Sequence, residues 1–291
     1  MSGALHDLVK RHGGEIHGSY ALLPGPGHSR RDRSLSVIMG RDGRPVFHSF
    51  AGDDFRAVRD YLGIEAKPGD MPYDPALQRK IERARRIERE ALEAEKLAFC
   101  EAVWRETAPA PETPVQIYLR ARGIVGNVPP VIRFHPAAPL DYQGKIRAPA
   151  MVAIVQDKAG AACGLHVTAI KADGSDKAGV NARRMFGPVR GGAVRLAPYA
   201  GKLAVAEGIE TALSFAAVTG AATWACMSTA GLTAFEIPHD VELLTIAADG
   251  DDAGLKAADE LAERARRHCD VIKSPAPAGT DWNDCLKGEA Q

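Results

Sequence analysis

The stretches KLAVAEGIE (residues 202–210) and LLTIAADGDDAG (residues 243–254) decide the fold of this chain. Each is a short apolar run that ends in a carboxylate, and each is followed by a segment with helical spacing. Runs of this length and composition are typical of buried parallel strands. Because the carboxyl ends of parallel strands line one crevice of an open sheet, we expect Glu207, Asp249 and Asp251 to converge there.

These carboxylates have no basic residue beside them in the sequence, so a shared crevice would make them repel one another. A divalent cation would neutralise that repulsion, and hard oxygen ligands suit Mg²⁺ or Mn²⁺. The stretch TDWND (residues 280–284) adds Asp281 and Asp284 as further candidate ligands. Asp281 also fits a cap of the turn around Trp282, and both interpretations stay open.

Composition excludes several classes of protein. Lysine plus arginine and aspartate plus glutamate both number 37 in 291 residues, so the overall charge does not indicate a nucleic-acid partner. The 5 cysteines form no Cys-x-x-Cys pair, which argues against a disulfide framework or a zinc site. No signal sequence and no apolar run of membrane-spanning length is present. We therefore expect a soluble, cytoplasmic protein without a membrane partner.

The sequence divides into four segments. Residues 1–66 form a small unit that contains a β-hairpin, and residues 67–108 combine a Pro-rich linker with a long charged helix. Residues 109–200 have a short helix and several strands, as in an α+β subdomain. Residues 201–291 alternate strands and helices, which predicts an α/β, doubly wound sheet with helices on both faces.

Basic residues are concentrated in two places. The arginines around the hairpin could follow a phosphate backbone or form a solvated face, and the sequence does not decide between them: Arg30, Arg31, Arg33, Arg41 and Arg44. The second concentration directly precedes the acidic crevice and predicts contacts with a polyanion: Lys171, Lys177, Arg183 and Arg184.

The motifs VAEGIETALS (residues 205–214) and ADGDDAG (residues 248–254) resemble the signature of the Toprim domain, which is Rossmann-like. Bacterial-type primases, type IA and II topoisomerases and some nucleases share that domain. The segment from YLRARG (residues 118–123) to Leu196 is similar to the region before Toprim in primases of plasmids and prophages. The resemblance implies that residues 109–200 are the N-terminal subdomain of a primase.

Residues 1–66 resemble the small, β-rich, zinc-finger-like domain of such primases, through PGPGH (residues 24–28), SLSV (residues 34–37) and FHSFAGD (residues 47–53). In that family three cysteines and a histidine bind zinc. Here Leu23, Ser49 and Gly52 stand at the cysteine positions, and His28 alone remains. One histidine cannot hold a structural zinc ion, so we expect a degenerate domain without zinc that is stabilised by packing.

The resemblance implies a primase that synthesises short RNA primers on single-stranded DNA from ribonucleoside triphosphates. Asp249 and Asp251, with Asp281 or Asp284, would ligate Mg²⁺ (or Mn²⁺), and Glu207 would be a ligand or a general acid or base. Lys177, Arg183 and Arg184, with Lys171 beside them, would bind the phosphates of template or nucleotide. No helicase motif follows, so a separate replicative helicase is a candidate partner.

One departure concerns the metal site. In many primases an aspartate follows the first glutamate of the motif by four residues, but this chain has Thr211 there. Glu210 is a candidate replacement; otherwise one metal position is weaker. Two other functions stay open: a Toprim nuclease that uses the same carboxylates, and a non-catalytic nucleic-acid-binding or regulatory protein of a mobile element. A topoisomerase is disfavoured because no tyrosine-bearing winged-helix domain is evident.

Overall fold

The computed structural model describes residues 2–40, 43–64, 75–179 and 181–288. The chain divides into two compact units, Met1–Lys80 and Ile81–Gln291. The predicted linker lies outside the described residues except for Pro75, and so do Arg41 and Asp42 in the turn of the predicted hairpin. No described helix has both the length and the apolar character needed to cross a membrane.

The described part of the first unit is a four-stranded antiparallel sheet that packs against helices. Its elements are α1 (Ser2–His12), β1 (Glu15–His17), β2 (Tyr20–Leu23), β3 (Leu35–Met39), β4 (Pro45–Ser49) and α2 (Phe55–Tyr61).

The strands of this sheet pair in chain order, and Leu8, Leu23, Leu35 and Val58 contribute to its small core. The predicted hairpin is confirmed as β3 and β4. The Asp54 side chain accepts the N–H groups of Arg56 and Ala57 and so caps the start of α2. The sequence did not predict β1 and β2, which are only 3 and 4 residues long.

The long helix α3 (Pro75–Arg105) matches the predicted charged helix. The side chains of residues 82–92 are exposed, as their high charge requires. Its last turns are different, because Phe99, Cys100, Val103 and Trp104 pack against a second sheet. The packing of the helix is therefore concentrated at its carboxyl end.

The second sheet is antiparallel, in the order β5-β6-β7-β8-β9. Its elements are β5 (Ala108–Pro109), α4 (Pro114–Ala121), β6 (Ile132–Pro139), β7 (Arg147–Gln156), β8 (Ala162–Ala169) and β9 (Arg183–Phe186).

Strands β7 and β8 form an antiparallel hairpin, two of the several strands predicted for residues 109–200. The sequence did not predict β9, which lies in the basic segment that contains Arg183 and Arg184. The two arginines at the start of β9 give it a polar sequence without the apolar pattern typical of a strand. Pairing of Arg183 with Thr168 of β8 in the ladder stabilises this edge strand instead.

The third sheet has the order β10-β12-β11-β13-β14. Its elements are β10 (Val194–Arg195), β11 (Lys202–Ala206), α5 (Ile209–Thr219), β12 (Thr223–Ala225), α6 (Thr229–Ala234), β13 (Leu243–Ala247), α7 (Asp252–Ala265), β14 (Asp270–Lys273) and α8 (Trp282–Lys287).

The predicted doubly wound arrangement is confirmed by the two faces of β11. Ala204 and Ala206 pack in one core with residues of α5, whereas Leu203 and Val205 pack in another with residues of α6 and α7. The sheet is not wholly parallel, because β10 runs antiparallel to β12 at one edge. The sequence did not predict α8.

The core on the α5 face also contains residues of the second sheet and of α4. Met151 of β7 and Tyr118 of α4 belong to the same buried cluster as Ile209 and Phe215 of α5. The second and third sheets therefore share one hydrophobic core.

Candidate functional site

The acidic residues lie where the chain leaves two neighbouring parallel strands. Ala206 pairs with Ala247 at the carboxyl ends of β11 and β13, so Glu207 and Asp249 leave the sheet side by side. The chain passes from β11 to β12 on one side and then crosses to β13 on the other. This reversal of direction is the place where open α/β sheets form a ligand-binding crevice.

The electrostatics of this crevice show that its carboxylates are close. Burial, followed by Glu207, Asp281 and Asp251, raises the pKa of Asp249 to about 7. Burial and then Asp251 raise the pKa of Glu207, while Arg183 and the N–H of Thr229 partly offset that increase. The structure thus brings Glu207, Asp249, Asp251 and Asp281 within range of mutual repulsion.

Backbone contacts fix the loop that carries the Asp-x-Asp pair. Gly250 N–H donates to the carbonyl of Thr280 at 2.8 Å, and Gly279 N–H donates to the carbonyl of Gly250 at 2.8 Å. A Cβ at Gly250 would lie 2.0 Å from the carbonyl oxygen of Pro277. Only glycine permits this approach, and the approach places Asp281 beside the crevice.

Three of the candidate ligands also cap helices. Asp251 accepts the Gly254 N–H at 2.7 Å as the N-cap of α7. Asp281 accepts the N–H groups of Asn283 and Asp284, and Asp284 accepts the Asp281 N–H at 3.1 Å, which completes a capping box on α8. Each cap uses one carboxylate oxygen of Asp251 and Asp281 and leaves the other for a ligand.

The donor chemistry of the crevice fits Mg²⁺ or Mn²⁺. Among the described residues, no three histidine, cysteine, aspartate or glutamate side chains form a ready-made ligand set. Mg²⁺ commonly needs only one or two carboxylates, since water and substrate phosphates complete its octahedron. Glu207, Asp249 and Asp251 supply oxygen ligands whose repulsion a divalent cation would relieve.

Basic side chains that are distant in the sequence lie near the crevice in the structure. Lys177 Nζ lies 3.0 Å from Glu210 Oε1, and Arg183 Nη2 lies 3.7 Å from Glu210 Oε2. A Cβ at Gly208 would be 4.0 Å from Arg183 Nη2, so this guanidinium lies next to the Glu207–Gly208 backbone. The sequence did not reveal these contacts because they join β9 and its preceding loop to α5.

The other two predicted basic residues, Arg184 and Lys171, have different surroundings. Arg184 pairs with Val167 in the ladder, which places it on the opposite face of β9 from Arg183. Its guanidinium donates to the carbonyl oxygens of Asn181 and Arg183. Lys171 is exposed. Of the predicted basic set, the structure therefore brings Arg183 to Glu207 at the acidic crevice and pairs Lys177 with Glu210.

Sequence reasoning missed two buried polar residues beside these cations. Tyr118 Oη donates to Glu210 Oε1 at 2.5 Å, and burial is the first cause of the raised pKa of Tyr118. His166 is buried, and burial lowers its pKa to about 4, so the imidazole is neutral. Both residues lie in apolar sequence contexts typical of core positions, and no local pattern marks them.

Thr211, at the position where the resemblance leads us to expect an aspartate, and the candidate replacement Glu210 contact different groups. Thr211 Oγ1 lies 3.4 Å from Asp249 Oδ1 and donates to it. Glu210 is buried, and its carboxylate faces Tyr118, Lys177 and Arg183. Burial by itself would raise the pKa of Glu210. The charges of Lys177 and then Arg183 outweigh burial and lower this pKa to about 2.

In the described part of the first unit, the residues at the expected zinc-ligand positions make other contacts. Leu23 is in the core, the Ser49 hydroxyl donates to Asp53 at 2.7 Å, and Gly52 forms a turn with φ of 77°. His28 Nδ1 lies 2.8 Å from Asp32, and its Nε2 lies 3.1 Å from Asp53. A histidine between two carboxylates occupies this position, and its hydrogen bond to Asp32 raises the pKa of His28.

Family models match two parts of the chain. One, described as a Toprim domain, matches residues 202–291. Residues 202–291 are a Toprim domain. A second model, described as a domain of unknown function (DUF7146), matches residues 94–196. The Toprim match covers the third sheet apart from its edge strand β10, together with the acidic crevice. The second match covers the second sheet, which carries Arg183, and the loop that carries Lys177.

Solved primase structures are similar to this Toprim protein over different lengths. A DNA primase domain from Pseudomonas aeruginosa has 16% identity and a TM-score of 0.35, covering 50% of this chain and 49% of its own. The chain thus spans about half the length of that fragment. The zinc-binding and RNA polymerase domains of Aquifex aeolicus primase have 14% identity and a TM-score of 0.44, covering 99% of this chain and 83% of theirs.

The primase fragment of the bacteriophage T7 primase-helicase has 14% identity and a TM-score of 0.40, covering 92% of this chain and 96% of its own. No curated protein matches the chain.

Proposed function

We propose that this Toprim protein is a primase-type nucleotidyltransferase, a DNA-directed RNA polymerase that makes short RNA primers on single-stranded DNA. The observation that carries the proposal is the meeting of two opposite charges at one crevice. The guanidinium of Arg183 lies beside Glu207, and Glu207 and Asp249 are neighbouring carboxylates whose pKa values are both raised. A metal–triphosphate complex would place its cation at the carboxylates and its phosphate anions at Arg183.

The carboxylates would hold Mg²⁺, with Glu207, Asp249 and Asp251 as principal ligands and Asp281 or Asp284 as further ones. When bound, Mg²⁺ would neutralise triphosphate charge and favour in-line attack by the primer 3′-oxygen. Asp249, whose pKa is about 7, must lose its proton before it can serve as a ligand. The raised pKa of Glu207 also suits this side chain to accept the proton of the attacking hydroxyl.

The cations would bind and orient the anionic substrates. Arg183 lies beside Glu207 and Lys177 lies beside Glu210, and both would bind the triphosphate of an incoming ribonucleotide. Arg184 and the exposed Lys171 would bind the backbone of the template strand. A separate replicative helicase and an origin in a plasmid or prophage belong to this proposal through the resemblance of residues 118–196.

A priming assay tests the proposal. The protein is incubated with single-stranded DNA, ribonucleoside triphosphates and Mg²⁺, and new oligoribonucleotides are the expected product. Asp249→Ala should abolish synthesis, whereas Asp259→Ala, at an exposed carboxylate of α7 that pairs with Lys273, should leave it unchanged.

Two other results would contradict a primase. Shortening of the DNA would identify a nuclease that uses the same carboxylates with water as the nucleophile. Binding of DNA without either product would identify a non-catalytic regulatory protein. Synthesis that survives Asp249→Ala would contradict the metal assignment.

A further inference from the structure

Glu210 has an environment unlike that of the crevice carboxylates. Its side chain is 7% exposed, its Oε1 lies 3.0 Å from Lys177 Nζ, and the same oxygen accepts the hydroxyl of Tyr118. The three residues come from α5, from the loop before β9 and from α4. Glu210 therefore joins the Toprim domain to the preceding subdomain through charge.

We propose that Glu210 is a positioning residue, which holds Lys177 and Arg183 at the mouth of the acidic crevice so that they bind the phosphates of a nucleoside triphosphate. This inference rests on the proposed function and extends it. It assigns Glu210 a role other than that of a replacement metal ligand.

The cluster can take an anion once a divalent cation engages the crevice carboxylates. Glu210 faces two cations, the neutral His166 behind them adds no charge, and Arg183 also lies near Glu207, whose charge Mg²⁺ would offset. Arg183 is 46% exposed and its contact with Glu210 is 3.7 Å, longer than a hydrogen bond. Since a guanidinium has five N–H donors, Arg183 can bind a phosphate while the carboxylate keeps it in place.

Lys177 depends on Glu210 more strongly. Its side chain is only 22% exposed, and an ammonium held so far from water is costly without a paired anion. Without the carboxylate, Lys177 would turn toward solvent or lose its proton, and either change removes a phosphate ligand. Removing the charge of Glu210 also removes its competition with phosphate for Lys177 and Arg183. We expect the misplacement of these cations to have the larger effect on phosphate binding.

Glu210→Gln keeps the shape of the side chain and removes its charge. We expect it to weaken the binding of Mg²⁺–ATP at least about tenfold by titration calorimetry, with Mn²⁺ affinity in the absence of nucleotide unchanged. In the priming assay the KM for nucleotide should rise more than kcat falls, because the chemical groups at Asp249 are untouched.

Two further variants complete the experiment. Glu106→Gln is the matched control, because Glu106 also pairs with a guanidinium, that of Arg147, away from the proposed site residues, and the nucleotide affinity of this variant should stay normal. Tyr118→Phe removes only the hydroxyl that orients Glu210, so it should weaken nucleotide binding by a smaller factor. If Glu210→Gln does not fold, Tyr118→Phe decides: weaker binding supports the inference and unchanged binding overturns it.

Other outcomes separate this inference from the proposed function. Equal or tighter nucleotide binding by folded Glu210→Gln would overturn the positioning role alone. A parallel fall in Mn²⁺ affinity would make Glu210 a metal ligand and also overturn it. Wild-type protein that binds no Mg²⁺–ATP and makes no primer would contradict the proposed function, and the inference with it.

Discussion

The negative charge of Asp249 destabilises the folded state, so Asp249→Asn should stabilise the metal-free protein. Its pKa rises from 3.8 to about 7, with burial as the first cause and Glu207 as the second. The folded state therefore holds the proton more tightly than the unfolded state. The resulting destabilisation is absent below pH 3.8, grows as the pH rises, and is complete above about pH 7.

The size of the effect follows from the pKa shift. A shift of about three units corresponds to ~4 kcal/mol, and partial exposure of Asp249 to solvent reduces the expected value to ~1–2 kcal/mol. For a unit of this size, that gain raises the midpoint of thermal unfolding by about 3–6 °C. Asparagine removes the ionisable group and keeps an oxygen that can accept from Thr211.

Thermal unfolding with a chelator at pH 8 and pH 5, and again with Mg²⁺, measures the prediction. Asp249→Asn should melt higher than wild type with the chelator at pH 8, gain less at pH 5, and lose most of the stabilisation that Mg²⁺ gives wild type. Asp259→Asn, which loses an exposed pair with Lys273, is the control and should fall by less than ~1 kcal/mol. A gain of equal size at both pH values would refute the reasoning from charge repulsion.

The remaining predictions concern the loop, a cap and the first unit. Gly250→Ala forces a Cβ toward the Pro277 carbonyl, so chemical denaturation should show a loss of about 1–3 kcal/mol, and an unchanged midpoint would contradict the docking of the two loops. Asp281→Asn keeps the N-cap and should reduce Mn²⁺ affinity without lowering the thermal midpoint, whereas unaltered affinity would leave Asp281 with a capping role alone. The pKa of His28 is raised above 6.5, chiefly by its hydrogen bond to Asp32, and that of Asp32 is lowered below 3.8. Protection of the first unit against hydrogen exchange should therefore be greatest between about pH 4 and 6.5 and fall as the pH rises through the folded-state pKa of His28; His28→Asn should lose this fall above pH 6.5, and identical profiles would contradict it.

The sequence by itself determined the alternating strands and helices of residues 202–265 and the strand ends that carry Glu207 and Asp249. These features are local, because apolar runs of strand length and helical spacing are visible along the chain. The sequence also showed that the first unit has no cysteine with which to bind zinc. It did not show that His28 would lie between Asp32 and Asp53. Asp32 precedes β3 and Asp53 follows β4, and only the pairing of these strands brings the two carboxylates together.

Only the tertiary structure decided which charges meet. The packing of the second sheet against α5 buries Glu210 and brings Lys177 and Arg183 to it, across sequence separations that no local pattern reports. The same packing turns β9 into an edge strand and directs Arg183, but not Arg184, toward the crevice. The sequence specifies side chains and local conformation, whereas the free energy of burying a charge depends on which partner the fold supplies.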